Sequence, residues 1–179
     1  MLKKNQPPQF EPIETPIIVF LSSDQDEFDQ DRLNLKSDIE EIKLKLARPI
    51  RVILVEKQRG PQWRKEMLRG LDVCDIFVLL LGTEYSETVR EEFQRASSMN
   101  LPIYIYRYIK NSHRLVNPRK GQLHDFITQD ILPTHLSIRG YNEPYQEYTK
   151  LFDEIAADLA SCVVMMVHES AQVRRVIGR

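Results

Sequence analysis

A chain of 179 residues, with 28 % charged and 42 % apolar side chains, fits one globular domain large enough to bury a real core. Its 25 basic and 26 acidic residues nearly cancel, so no large single-sign field draws it onto nucleic acid or an anionic membrane. No apolar run reaches the roughly 18 residues of a membrane span, and the N-terminus lacks the apolar stretch of a signal peptide. These features predict a soluble, cytoplasmic protein.

Residues 1–16 hold four prolines and no apolar period, the pattern of an extended arm. PIIVFLSS (16–23) is an apolar run ending in two hydroxyl residues, as in a strand covered on both faces. Asp24 is a good helix N-cap, and Glu27 three residues on completes a capping-box pattern. A long helix to about Ala47 follows, with an apolar stripe of Phe28, Leu35, Ile39, Ile42 and Leu46. IRVILVEK (50–57) is a second strand, broken by Arg59-Gly60-Pro61. Trp63, Met67 and Leu71 then mark a second helix.

IFVLLLG (76–82) is the third and most apolar strand, and a charged helix spans about 84–99. In PIYIYRYI (102–109) isoleucine alternates with tyrosine, as in a fourth strand. Beyond it the pattern allows a short helix over Gln122 to Ile131, a fifth strand in THLSIRGY (134–141) and a last amphipathic helix from Tyr145 to about His168. One domain over 17–168 results, with 169–179 an extension or the cut edge of a larger protein. Alternation of strands and helices predicts an open, doubly wound parallel α/β sheet of four to five strands with helices on both faces. Ligands then belong beyond the carboxyl ends of the strands.

Two cysteines, Cys74 and Cys162, sit far apart among apolar neighbours and read as buried thiols in a reducing compartment. Four histidines show no ligand spacing, so no metal is predicted. Neither GxGxxG, GxxxxGK[ST] nor GxSxG is present, which excludes the dinucleotide fingerprint, the P-loop and the hydrolase elbow. Ser22, Ser23 and Asp24 at a helix N-terminus suit a phosphate or ribose, although this stretch alone favours plain capping, since Ser and Asp are the commonest caps. In the helix after the third strand, Tyr85, Val89, Phe93 and Ala96 form the sheet-facing stripe, with Thr88 and Glu92 at its edge and Glu91 turned toward solvent. Of the two carboxylates, Glu92 is better placed to reach over the strand ends. Asp72 and Asp75 fall at the opposite end of the sheet, as turn and capping residues.

VFLSSDQDEFDQDR (19–32) resembles the VFISST…DL…ER opening of the TIR-like domains, of unknown function, found at the N-termini of many bacterial STAND signalling NTPases. LDVCDIFVLLLGTEYSETVREEFQRA (71–96) is similar to a second block of that family. The family is related to TIR domains and nucleoside 2-deoxyribosyltransferases, which implies a flavodoxin-like sheet. It also implies an active-site glutamate on the helix after the third strand, and Glu92 falls on that position. The Trp-Cys pair that precedes it in many TIR domains is absent, with Val89 and Arg90 nearby instead.

The resemblance implies cleavage of an N-glycosidic bond of NAD or a related nucleotide by Glu92. NAD would be a substrate, and no cofactor is implied. Ser22, Ser23 and Asp24 would hold ribose or phosphate, with Tyr85 and Thr88 beside the base. It further implies self-association through the loop after the second strand, involving Gly60, Pro61 and Trp63, and a fused or partner STAND NTPase. Two other readings stay open: a non-catalytic interaction module of a larger receptor, and a nucleoside deoxyribosyltransferase.

Overall fold

The computed structural model describes residues 15–42, 49–55, 62–109, 121–134 and 137–177. Five strands, β1 (Ile17–Ser23), β2 (Ile50–Ile53), β3 (Ile76–Leu81), β4 (Ile103–Arg107) and β5 (Ile138–Arg139), form one parallel sheet in the order β2-β1-β3-β4-β5. Between them run α1 (Gln25–Glu41), α2 (Gln62–Val73), α3 (Glu87–Ser98) and α4 (Gln122–Asp125), the last prolonged by a π-helical turn, Phe126–Ile131. A 30-residue helix, α5 (Tyr148–Ile177), ends the chain. The doubly wound α/β sheet expected from the sequence is the fold observed, with all five strands present.

Strand order follows from crossover handedness. The chain leaves β1 for one side through α1, then returns past it to β3 through α2, and right-handed crossovers in opposite directions put the two helices on opposite faces. Alternate residues of β1 and β3 therefore feed two cores. Val19, Leu21, Val78 and Leu80 pack with Phe28, Leu35 and Ile39 of α1 and Leu151, Ile155 and Leu159 of α5. Phe20, Phe77, Leu79 and Leu81 pack with Met67 and Leu71 of α2 and Val89, Phe93 and Ala96 of α3. With both faces covered, all six residues of β3 are buried, which is why it reads as an unbroken apolar run. The order in which the chain adds strands reverses between β1 and β3, and the carboxyl ends of these two strands frame a crevice.

Several boundaries differ from the sequence reading. The charged helix begins at Glu87, not near 84, because Ser86 is extended (φ −129°) and the residues before it are tied elsewhere. The tie is Glu27: its carboxylate accepts from Thr83 N (2.7 Å), Thr83 Oγ1 (2.9 Å) and Glu84 N (3.2 Å). Asp24 does cap α1, accepting from Asp26 N and Glu27 N at 3.0 Å each, but Glu27 does not complete a capping box. It reaches across the sheet edge because a carboxylate gains more from the charge-assisted bonds of an otherwise unpaired loop. The fifth strand shrinks to two residues, and the last helix runs to Ile177 rather than His168. Leu46 and the end of the first long helix near Ala47 lie outside the described residues.

At the opposite, amino-terminal edge, Asp75 and Ile18 exchange backbone and side-chain hydrogen bonds of 2.8 Å, and Asp72 pairs with Arg95 at 2.9 Å. Both aspartates are structural, as expected. Cys74 and Cys162 are both buried and neither is in a disulfide. Among the described residues no helix is long and apolar enough to cross a membrane.

The Glu27 tie also explains Gly82, where an added Cβ would sit 2.1 Å from Glu27 Oε2. Gly82→Ala is expected to displace that carboxylate and lose about 1.5 to 3 kcal/mol in urea titration. Added to Glu27→Ala, the same substitution should change stability little.

Candidate functional site

At the crevice between β1 and β3, Ser22 comes from the end of β1 and Glu92 from the second turn of α3. Sheet-facing burial of Val89, Phe93 and Ala96 fixes the rotation of α3, which leaves position 92 toward the carboxyl end of β1. Glu92 is 5 % exposed, and Ser22 Oγ, 1 % exposed, donates to its Oε2 at 2.5 Å. No lysine or arginine forms an ion pair with it among the described residues. Burial is the largest influence on this carboxyl and pushes its pKa up from 4.5 to about 7; the Ser22 hydrogen bond and the Arg32 charge oppose the rise, and Glu91 adds to it.

Arg32 is 3 % exposed and donates from Nη2 to Val55 O, just past β2, at 2.9 Å. Among the described residues, Arg32 and Glu92 line one cleft with Ser23, Asp24, Gln25, Asp26, Val55, Trp63, Ser86 and Thr88. Ser23 Oγ is shielded from solvent and has no hydrogen-bond partner. The cleft's free volume is about 20 Å³, room for about one water. It brings together a buried acid, a buried cation, an unsatisfied hydroxyl and an indole. That set can hold a polar ligand and exchange a proton with it near neutral pH.

Of the residues singled out from sequence, Glu92, Ser23, Asp24 and Thr88 converge on this cleft. Ser22 lies one layer deeper, where its hydroxyl orients Glu92 instead of facing a ligand. Asp24 lines the cleft while its carboxylate caps α1. Tyr85 is not among the cleft residues: its hydroxyl bonds Glu87, and its ring meets Phe126 edge-on at 6.4 Å. The extended Ser86 and the later start of α3 turn it away. Glu91 is on the outer face, bonded by Arg64 Nε at 2.9 Å. Trp63 belongs to the first turn of α2 and lines the cleft, rather than forming part of a loop. Gly60 and Pro61 lie outside the described residues.

Sequence reasoning missed Arg32, Val55 and Glu27. For Arg32 a signal existed. The apolar stripe of α1 steps by seven from Phe28 to Leu35, and Arg32 stands at the skipped turn, so a cation occupies a core-facing position. Glu27 was legible only as a cap, since its partners lie 56 and 57 residues away. Among the described residues no three His, Cys, Asp or Glu side chains converge as metal ligands.

A five-stranded parallel sheet in the order β2-β1-β3-β4-β5, covered by helices on both faces, is a flavodoxin-type, TIR-like α/β fold. The TIR domains of the activated Roq1 resistosome, which recognises the pathogen effector XopQ, share this fold. They are 15 % identical at a TM-score of 0.50, over 80 % of this chain and 99 % of theirs. The CMP N-glycosidase BcmB of Clostridium botulinum is also similar, at 17 % identity, TM-score 0.48, over 77 % of this chain and 96 % of its own. A 2-desoxiribosyltransferase from Leishmania mexicana is 10 % identical at TM-score 0.46, over 79 % and 98 %. No curated protein matches the sequence. Residues 18–160 match the model of DUF4062, a domain of unknown function, and the chain belongs to that family.

A glutamate whose folded pKa lies above its unfolded one leaves the native state holding more protons between about pH 4.5 and 7, so stability falls as pH rises through that window. Glu92→Gln removes the penalty. It should be more stable than the unaltered protein at pH 8, by on the order of 3 kcal/mol in denaturant titration, with the gap closing by pH 4.5.

Proposed function

We propose that the domain cleaves the N-glycosidic bond of NAD or a related nucleotide, with Glu92 as the group that acts at the anomeric carbon. The observation that carries this reading is the buried Glu92 carboxyl, oriented by Ser22 Oγ and facing a cleft at the sheet's switch point. A carboxyl so withdrawn contributes little to folding and costs stability when ionised, a pattern typical of groups kept for chemistry. Cleavage passes through an oxocarbenium-like state. Ionised, Glu92 would stabilise that charge or attack the anomeric carbon; protonated, it would donate to the departing base. A value near 7 makes both forms available at neutral pH.

Ser23 Oγ supplies a hydrogen bond to a ribose hydroxyl in this reading, and Thr88 flanks it. Trp63 offers a face on which a base stacks. The motif resemblance supports a signalling or defence role in the cytoplasm, in an assembled state and coupled to a STAND-type NTPase. A nucleoside deoxyribosyltransferase would use the same carboxylate on a free nucleoside. A non-catalytic interaction module is the second reading, favoured by a cleft with room for about one water.

Concentrated protein, with and without a crowding agent, is incubated with NAD and with nucleosides while base release is followed by chromatography. The glycosidase reading expects release that falls at least about 100-fold in Glu92→Gln. Absence of release at every concentration supports the module, and release from nucleosides alone supports the transferase.

A further inference from the structure

Arg107 ends β4 on the carboxyl edge of the sheet, 3 % exposed. Register pairs it with Leu81 of β3, so both side chains leave the same face. No carboxylate pairs with it among the described residues, and its Nε is buried without a hydrogen-bond partner. Its guanidinium carbon lies 6.0 Å from the centre of the Tyr141 ring. Among the described residues Tyr141 and then Glu27 favour the cation; a tyrosine phenol is neutral at ordinary pH, and the Glu27 carboxylate is already committed to Thr83 and Glu84. Burial correspondingly depresses the Arg107 pKa, though an arginine keeps its charge at any ordinary pH.

A buried cation without an anion destabilises a fold, since the Coulombic return that would offset its desolvation is missing. An aromatic face recovers only part of that deficit. Tyr106, one residue earlier, shows the contrast: its hydroxyl is satisfied by Asp158 at 2.7 Å. Arg107 also stands on the edge where parallel sheets take ligands.

We propose that Arg107 binds an oxyanion, the phosphate or carboxylate of a small-molecule ligand, at the carboxyl end of β4. The planar guanidinium fork fits either group with two parallel hydrogen bonds. The site is separate from Glu92 chemistry and stands whether or not the domain cleaves a nucleotide. Binding would convert an unpaired charge into an ion pair and so stabilise the chain.

Thermal unfolding of the full chain in sodium phosphate, sodium acetate and sodium chloride at matched ionic strength tests this. Phosphate should raise the midpoint by roughly 3 °C at ten times its dissociation constant, and chloride should not. Acetate matching phosphate identifies a carboxylate ligand; acetate acting like chloride identifies a phosphate. Without anion, Arg107→Met should melt higher than the unaltered protein and should lose the phosphate effect. Equal midpoints in phosphate and chloride, or a phosphate effect surviving in Arg107→Met, would overturn the assignment. Should that variant not fold, the Nε–H resonance of Arg107 in the unaltered chain decides: movement on phosphate addition supports the site, and a resonance fixed through tens of millimolar removes it.

Discussion

One hydrogen bond organises the candidate site: Ser22 Oγ to Glu92 Oε2, joining residues 70 positions apart. It spans the point where the strand order reverses, tying the end of β1 to the helix that follows β3. Without the hydroxyl, a carboxyl 5 % exposed would have only the field of Arg32 to oppose its desolvation. The bond also limits what each residue can do. The Ser22 hydroxyl is committed to the glutamate, whereas the neighbouring Ser23 hydroxyl, on the cleft wall, has no hydrogen-bond partner.

The parts around this bond are held by two further long-range ties on the same edge. Glu27 fastens the loop after β3 to the first turn of α1, so the start of α3, and with it the position of Glu92, is referenced to β1. Arg32, anchored on Val55 O, brings the end of β2 to the same crevice. Asp24, the cap of α1, and Glu27 and Arg32 within the helix thus serve the carboxyl edge of the sheet while its apolar residues serve the core. Such buried polar ties gain strength from low local dielectric and are costly to break singly.

Periodicity made the fold legible. Six consecutive buried residues in β3 and the stripes of α2 and α3 have no other economical reading, and the strand order follows from crossover handedness once the elements are known. Glu92 was legible in part: its place beside the sheet-facing stripe set it apart from Glu91, which the structure turns outward to Arg64. Tyr85 was misread because a helix stripe was extended one turn too far, and only the extended backbone of Ser86 stops it. The roles of Glu27 and Arg107 were hidden for a different reason. Both depend on contacts between distant segments, which local pattern does not encode.

A pH titration of the Glu92 side-chain carboxyl by carbon-13 NMR, assigned by its loss in Glu92→Gln, measures the central claim directly. A midpoint near 7 that rises further in Ser22→Ala agrees with a withdrawn carboxyl held by one hydroxyl. A midpoint near the ordinary 4.5, unmoved by that substitution, would mean that Glu92 faces water and that the crevice contains no poised acid.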